Sequence, residues 1–155
     1  MKNIFKLNYE VKLRMIINEY KVGREFMGRL EHGSDLLKSL LSIVQEKDIN
    51  AGVVEVIGAC KRSVVAIYDQ EKKVYNNVVL DKPLEIVSCT GNISKLNGKP
   101  MIHLHIVLSD HEGKAFGGHV IEGTEVFAGE FYIRELLGPT LERKHDEVTG
   151  LNLWA

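Results

Sequence analysis

Residues 101–122 read MIHLHIVLSDHEGKAFGGHVIE, and they hold four of the chain's six histidines, His103, His105, His111 and His119. From Met101 to Leu108 the residues alternate in the manner of a strand, whose successive side chains lie on opposite faces. Ile102, Leu104, Ile106 and Leu108 share one face, while Met101, His103, His105 and Val107 share the other. The polar run Ser109–Lys114 follows, and Gly113 is the residue there that takes a positive φ cheaply. A three-residue loop of His111, Glu112 and Gly113 would pair Asp110 with Lys114, Val107 with Gly117 and His105 with His119. Directly opposed residues have Cβ atoms roughly 4.5–5.5 Å apart on the same face. In that register His103, His105 and His119 converge.

Three imidazoles with an open fourth position suit a divalent ion such as zinc, which takes histidine nitrogens at about 2.0–2.1 Å and leaves such a position in catalytic sites. Two other readings stand beside this one. A bulge at Gly117–Gly118 would turn His119 to the opposite face, and a His-x-His pair alone can be a half-exposed polar face.

Working outward, the segments Val53–Cys60, Val64–Tyr68, Val74–Leu80 and Pro83–Thr90 are rich in β-formers and separated by Gly, Asn, Asp, Lys and Pro. Val120–Val126 reads as a weaker strand and Glu130–Leu137 as another. Glu19–Leu30 is expected to hold one or two short strands broken near Gly23 and Gly28. The helix signal is at Asp35–Lys47, where Leu36, Leu37, Leu40, Leu41 and Val44 recur at helical spacing after Ser34, the expected N-cap. One main helix on a mostly antiparallel β-sheet is an α+β fold. A single helix leaves sheet surface uncovered, which self-association would cover.

At 155 residues the chain has the length of one domain, and 45% hydrophobic with 26% charged residues is an ordinary globular composition. The formal net charge is −1; the first fourteen residues carry +3, which leaves −4 on the rest. A mildly acidic body is poorly suited to binding phosphate backbones by charge alone. Arg14, Lys21, Arg24 and Arg29 form a modest basic cluster with no stacking aromatics interleaved. There is no apolar run of membrane-spanning length and no signal-peptide pattern, so a cytoplasmic location without membrane association is expected. Cys60 and Cys89 lie in apolar stretches without a CxxC motif and read as buried free thiols. The expected organisation is an N-terminal extension over 1–14, with Met15 a second plausible start, a domain over 15–138 and a loosely ordered charged tail over 139–155. Trp154 of the tail is expected to dock on the body or on a neighbouring subunit.

From about Met15 to Gly138 the sequence resembles the plant and prokaryote conserved (PPC) domain family. The segments that carry the likeness are GREFMGRLEHGSDLL (23–37), DKPLEIVSCTGNIS (81–94) and, most specifically, HLHIVLSDHEGKAFGGHVIEG (103–123). The resemblance implies a homotrimer and a divalent metal, zinc in particular, on His103, His105 and His119. It also implies an architecture similar to that of acetolactate decarboxylase, an analogy of fold that assigns no reaction. Plant relatives grip DNA with AT-hook peptides of Arg-Gly-Arg-Pro core; Gly23-Arg24 and Gly28-Arg29 lack those neighbours, which leaves a DNA-binding or transcription-regulating protein as the weaker, alternative reading. The leading expectation is small-molecule binding or metal-assisted chemistry, with no catalytic residue named. Glu122 is expected to point away from the histidines, Glu55 and Glu130 to be surface charges or intersubunit ion pairs, and His32 to be a solvated loop residue.

Overall fold

The computed structural model describes residues 15–155; the expected extension over 1–14, with Arg14, lies outside them. One helix and nine strands follow in the order β1 (Lys21–Leu30), α1 (Leu36–Glu46), β2 (Gly52–Asp69), β3 (Val74–Leu80), β4 (Leu84–Leu96), β5 (Lys99–Ser109), β6 (Ala115–Val120), β7 (Glu125–Leu137), β8 (Glu142–Asp146) and β9 (Leu151–Trp154). All nine strands belong to one sheet of order β1-β7-β2-β6-β5-β4-β8-β9, with β3 and β4 also paired to β2. The fold is α+β and almost wholly antiparallel, as its sequence pattern predicts.

Pairing of β2 with both β4 and β6 makes the run β2–β4–β5–β6–β2 close on itself. The inward face of β5 fills this ring: Leu104 and Leu108 are wholly buried, and Ile102 and Ile106 nearly so. They join Val54, Val56, Ile93 and Ile133 in one core. Helix α1 closes that core with Leu36, Leu40 and Val44, all at 0% exposure on a single i, i+4, i+8 stripe.

Several boundaries differ from the expected ones for physical reasons. The two strands foreseen on either side of Lys61–Ser63 are one eighteen-residue strand, β2, whose bends are taken up by register shifts after Val56 and around Cys60. β1 is likewise one strand, irregular between Val22 and Glu25. The expected strand Val120–Val126 is a turn: Gly123 adopts φ +117° and separates the end of β6 from the start of β7. The helix N-cap is Asp35 rather than Ser34. Asp35 Oδ1 accepts from Lys38 N at 2.9 Å and Oδ2 from Gly123 N at 2.7 Å, while Ser34 Oγ donates to the Glu31 carbonyl.

The tail is ordered secondary structure, against the expectation. β8 adds to β4 in parallel at Lys95–Glu142 and Leu96–Arg143, and β9 folds back on it. Asp146 accepts from Thr149 N and Oγ1 in the connecting turn. Two contacts tie that turn to the β2–β3 hairpin: Tyr68 Oη donates to the Thr149 carbonyl and Lys73 Nζ to that of Glu147. Cys60 and Cys89 are free and buried, and burial pushes their thiols up to about 11 and about 12.

Candidate metal centre

The β5–β6 hairpin forms in the register read from the sequence. His105 stands opposite His119 and Val107 opposite Gly117, with no bulge between them. Asp110 holds the turn together: its backbone N–H donates to the Lys114 carbonyl at 3.1 Å, and its Oδ1 accepts from Glu112 N and Lys114 N. Lys82 Nζ donates to Oδ2 at 2.7 Å, which holds the Asp110 carboxyl below the usual carboxylate range. Gly113 supplies the positive φ, +79°.

The Gly117-Gly118 pair has a steric cause. A Cβ on Gly117 would lie 2.5 Å from the Ile106 carbonyl oxygen, and one on Gly118 would lie 2.9 Å from Ile67 Cδ1. Without side chains, β6 fits between β5 and β2, and His119 is carried to the histidine pair.

The three imidazoles offer ring nitrogens that all lie within 4.8 Å of one another. His103 and His105 bring their Nε2 atoms to 3.2 Å, and the ring centroids of the three pairs are 4.9–5.6 Å apart. His103 and His119 are half-buried and His105 is exposed. Burial is the largest cause that pulls His103 down to about 4, with His119, Arg143 and His105 adding to it; burial also lowers His119. Those two imidazoles are therefore neutral at pH 7, the form in which histidine binds a divalent ion. Nδ1 of His119 is buried with no hydrogen-bond partner among the described residues, the kind of unspent polar atom that a bound species relieves. Donor type, convergence and protonation state fit a metal.

The surroundings of the cluster were not legible as a site. Arg143 of β8 lies with its Nη2 3.5 Å from His103 Nδ1, and Tyr75 of β3 stacks at a tilt on His119, centroids 5.4 Å apart. Together with β9 they wall a cavity of about 190 Å3 beside His103 and His119. A signal was present in the tail: Leu151 and Leu153 alternate with polar Asn152, and Thr149-Gly150 is a turn pair. The charge of the preceding run masked it.

The remaining candidates lie elsewhere. Glu122 is exposed and pairs with Lys38 at 2.8 Å. Glu55 and Glu130 are exposed and outside the histidine cluster. His32 donates from Nδ1 to the Phe127 carbonyl at 2.7 Å and stays exposed. Arg24 of the expected basic cluster is spent in an ion pair with Glu135 at 2.7 Å.

A family model described as the Plants and Prokaryotes Conserved (PCC) domain matches residues 17–137. Among solved structures, a metal-containing protein of Archaeoglobus fulgidus is 42% identical with a TM-score of 0.87, covering 91% of this chain and 99% of its own. A plant- and prokaryote-conserved protein of Pyrococcus horikoshii is 33% identical with a TM-score of 0.86, over 91% of this chain and 97% of that one. A protein of Bacteroides thetaiotaomicron described as a candidate DNA-binding protein is 27% identical with a TM-score of 0.80, over 89% and 96%. The bifunctional protein GlmU of a Synechococcus strain is 27% identical over 124 residues, 79% of this chain but 19% of GlmU. The chain thus spans about a fifth of the length of the curated relatives it matches.

Proposed function

Because the chain belongs to the Plants and Prokaryotes Conserved domain family, we propose that it is a cytoplasmic homotrimeric metal protein. His103, His105 and His119 hold one zinc ion per chain and leave a coordination position open to a small molecule. The observation that carries this reading is the convergence of the three imidazoles within 4.8 Å. The metal-containing relative from Archaeoglobus, at 42% identity, supports it. Bound there, zinc would act as a Lewis acid toward a carbonyl or a water. The chain's part is to hold His103 and His119 neutral, to orient the three imidazoles from two adjacent strands, and to limit solvent access with β8–β9. Exposed Val87 and Val107, which accompany exposed His105 on β4 and β5, support a subunit interface beside the cluster.

Elemental analysis of untagged protein tests the site. The wild type is expected to carry close to one zinc per chain, and His103→Ala and His119→Ala to lose it while keeping the wild-type circular dichroism spectrum. A wild type that stays metal-free after zinc is added sinks the reading.

The Bacteroides relative brings DNA binding as a second reading. The net charge of −1 and the pairing of Arg24 with Glu135 count against it. Absence of salt-sensitive retention of duplex DNA at low ionic strength would dismiss it.

A further inference from the structure

Arg143 is 6% exposed, and its guanidinium meets only neutral partners. Nε donates to Ser94 Oγ at 2.9 Å, Nη1 to the Asn152 carbonyl at 3.0 Å and Nη2 to Asn92 Oδ1 at 2.9 Å. Among the described residues no carboxylate forms an ion pair with it, whereas Arg24, Arg62 and Arg134 each have one. A buried cation is normally paired, because desolvation without a counter-charge is costly. A guanidinium carries five N–H donors, so the fork is not exhausted by these three bonds.

The open side of this cation faces the histidine cavity. Arg143, His103 and His119 wall the same space of about 190 Å3, and Met101, Leu151 and Leu153 supply it with apolar surface. His103 adds a second requirement. Its Nε2 faces the cluster, 3.2 Å from His105 Nε2, so an ion bound there leaves the ring proton on Nδ1. That N–H and Arg143 Nη2, which spends only one of its two protons on Asn92, then lie 3.5 Å apart with no acceptor between them. An oxyanion satisfies both.

We propose that Arg143 is the anion-binding residue of this site and that its ligand is a small organic acid. The carboxylate docks on the guanidinium, the carbon end lies along Met101, Leu151 and Leu153, and an adjacent oxygen reaches the histidines. The proposal deepens the metal reading and rests on it for that last contact and for the proton on His103 Nδ1, but not for the guanidinium. The apolar wall favours a carboxylic acid over inorganic phosphate, which has no carbon to place there. The strand that delivers Arg143 lies beyond residues 17–137, so specificity is supplied by the C-terminal hairpin.

Pyruvate serves as the probe, titrated calorimetrically and by the fluorescence of Trp154, the chain's one tryptophan, whose ring lies 5.4 Å from the Arg143 guanidinium. Metal-free and zinc-loaded protein are both titrated, and zinc content is measured separately. Asn92→Asp is the decisive variant: it is isosteric and gives Arg143 an internal carboxylate, so the fold keeps its contacts while the cation is satisfied from within. It is expected to weaken pyruvate binding by at least roughly ten-fold in either form. Arg143→Gln is expected to do the same, with its thermal midpoint recorded beside it, and methyl pyruvate is expected to bind as weakly to the wild type. Wild-type affinity in Asn92→Asp, equal affinity for the ester, or no pyruvate binding by the wild type overturns the proposal. Phosphate binding as tightly as pyruvate overturns the organic-acid assignment. If zinc is absent yet pyruvate still binds and Asn92→Asp abolishes it, the metal reading fails and the role of Arg143 stands.

Discussion

Gly91 lies opposite Leu104, between the pairs Asn92–His103 and Thr90–His105, and a Cβ there would sit 1.8 Å from the His103 carbonyl oxygen. Gly91→Ala therefore forces β4 off β5 at the place where His103 and His105 are carried. It is expected to cost about 1–3 kcal/mol and to weaken zinc retention as well, measured by denaturant unfolding and by metal content after dialysis. Leu104→Ala is the counterpart on the other face. It leaves a cavity under a wholly buried side chain and should cost about 2–5 kcal/mol, yet leave the metal stoichiometry unchanged, since Leu104 points into the core. The contrast between the two variants reads the alternation of the strand. That alternation, with the Asp110–Lys114 turn, is why the histidine register was legible from residue order alone. Nothing in residue order reveals that Gly91 must be small, because the atom it would strike belongs to a strand that pairs with it only after folding.

Helix α1 and the C-terminal hairpin show where the reading of elements succeeds and fails. The helix was legible from its apolar stripe, but its cap was not: Ser34 and Asp35 are adjacent and both are good N-caps. The choice is made by Gly123, 88 residues away, whose N–H also bonds the Asp35 carboxylate. Asp35→Ala removes both bonds and is expected to lower stability by about 1–2 kcal/mol, whereas Ser34→Ala should change the unfolding midpoint much less. The hairpin was hidden for a different reason. Its charges read as solvated, but Arg143 is buried by neighbours from β4 and β9 that no local window contains. A site wall thereby reads, in sequence, as a loose end.

At the scale of the whole molecule, exposed apolar residues on several strands, Ile57, Val79, Val87 and Phe127 among them, fit burial between subunits. Sedimentation equilibrium is expected to return three times the 17.5 kDa chain mass; a monomer at micromolar concentration would contradict the trimer. Acid should weaken the fold. Lys82 holds the Asp110 carboxyl, and Arg24 the Glu135 carboxyl, below their ordinary values. The folded state thus binds these protons less readily than the unfolded one. Their contribution is complete above the unfolded values of about 4 and is lost as pH falls through them toward the folded values. The thermal midpoint should begin to fall near pH 6.5, where the unfolded chain protonates the histidines that burial keeps neutral at His103 and His119, and fall further below about pH 4 as the two carboxylate pairs are lost. The closed ring of strands carries a kinetic consequence. It shuts along only two paired positions between β2 and β6, Val65–Val120 and Ala66–His119, whereas β4 and β5 share eleven. This narrow seam is the natural place for the ring to breathe open, and one of its residues, His119, belongs to the proposed metal site. An ion held by β5 and β6 would fix His119, and so β6, beside that seam: loading the site should slow hydrogen exchange at Val65 and Ala66 far more than at Leu104, and lengthen the native lifetime.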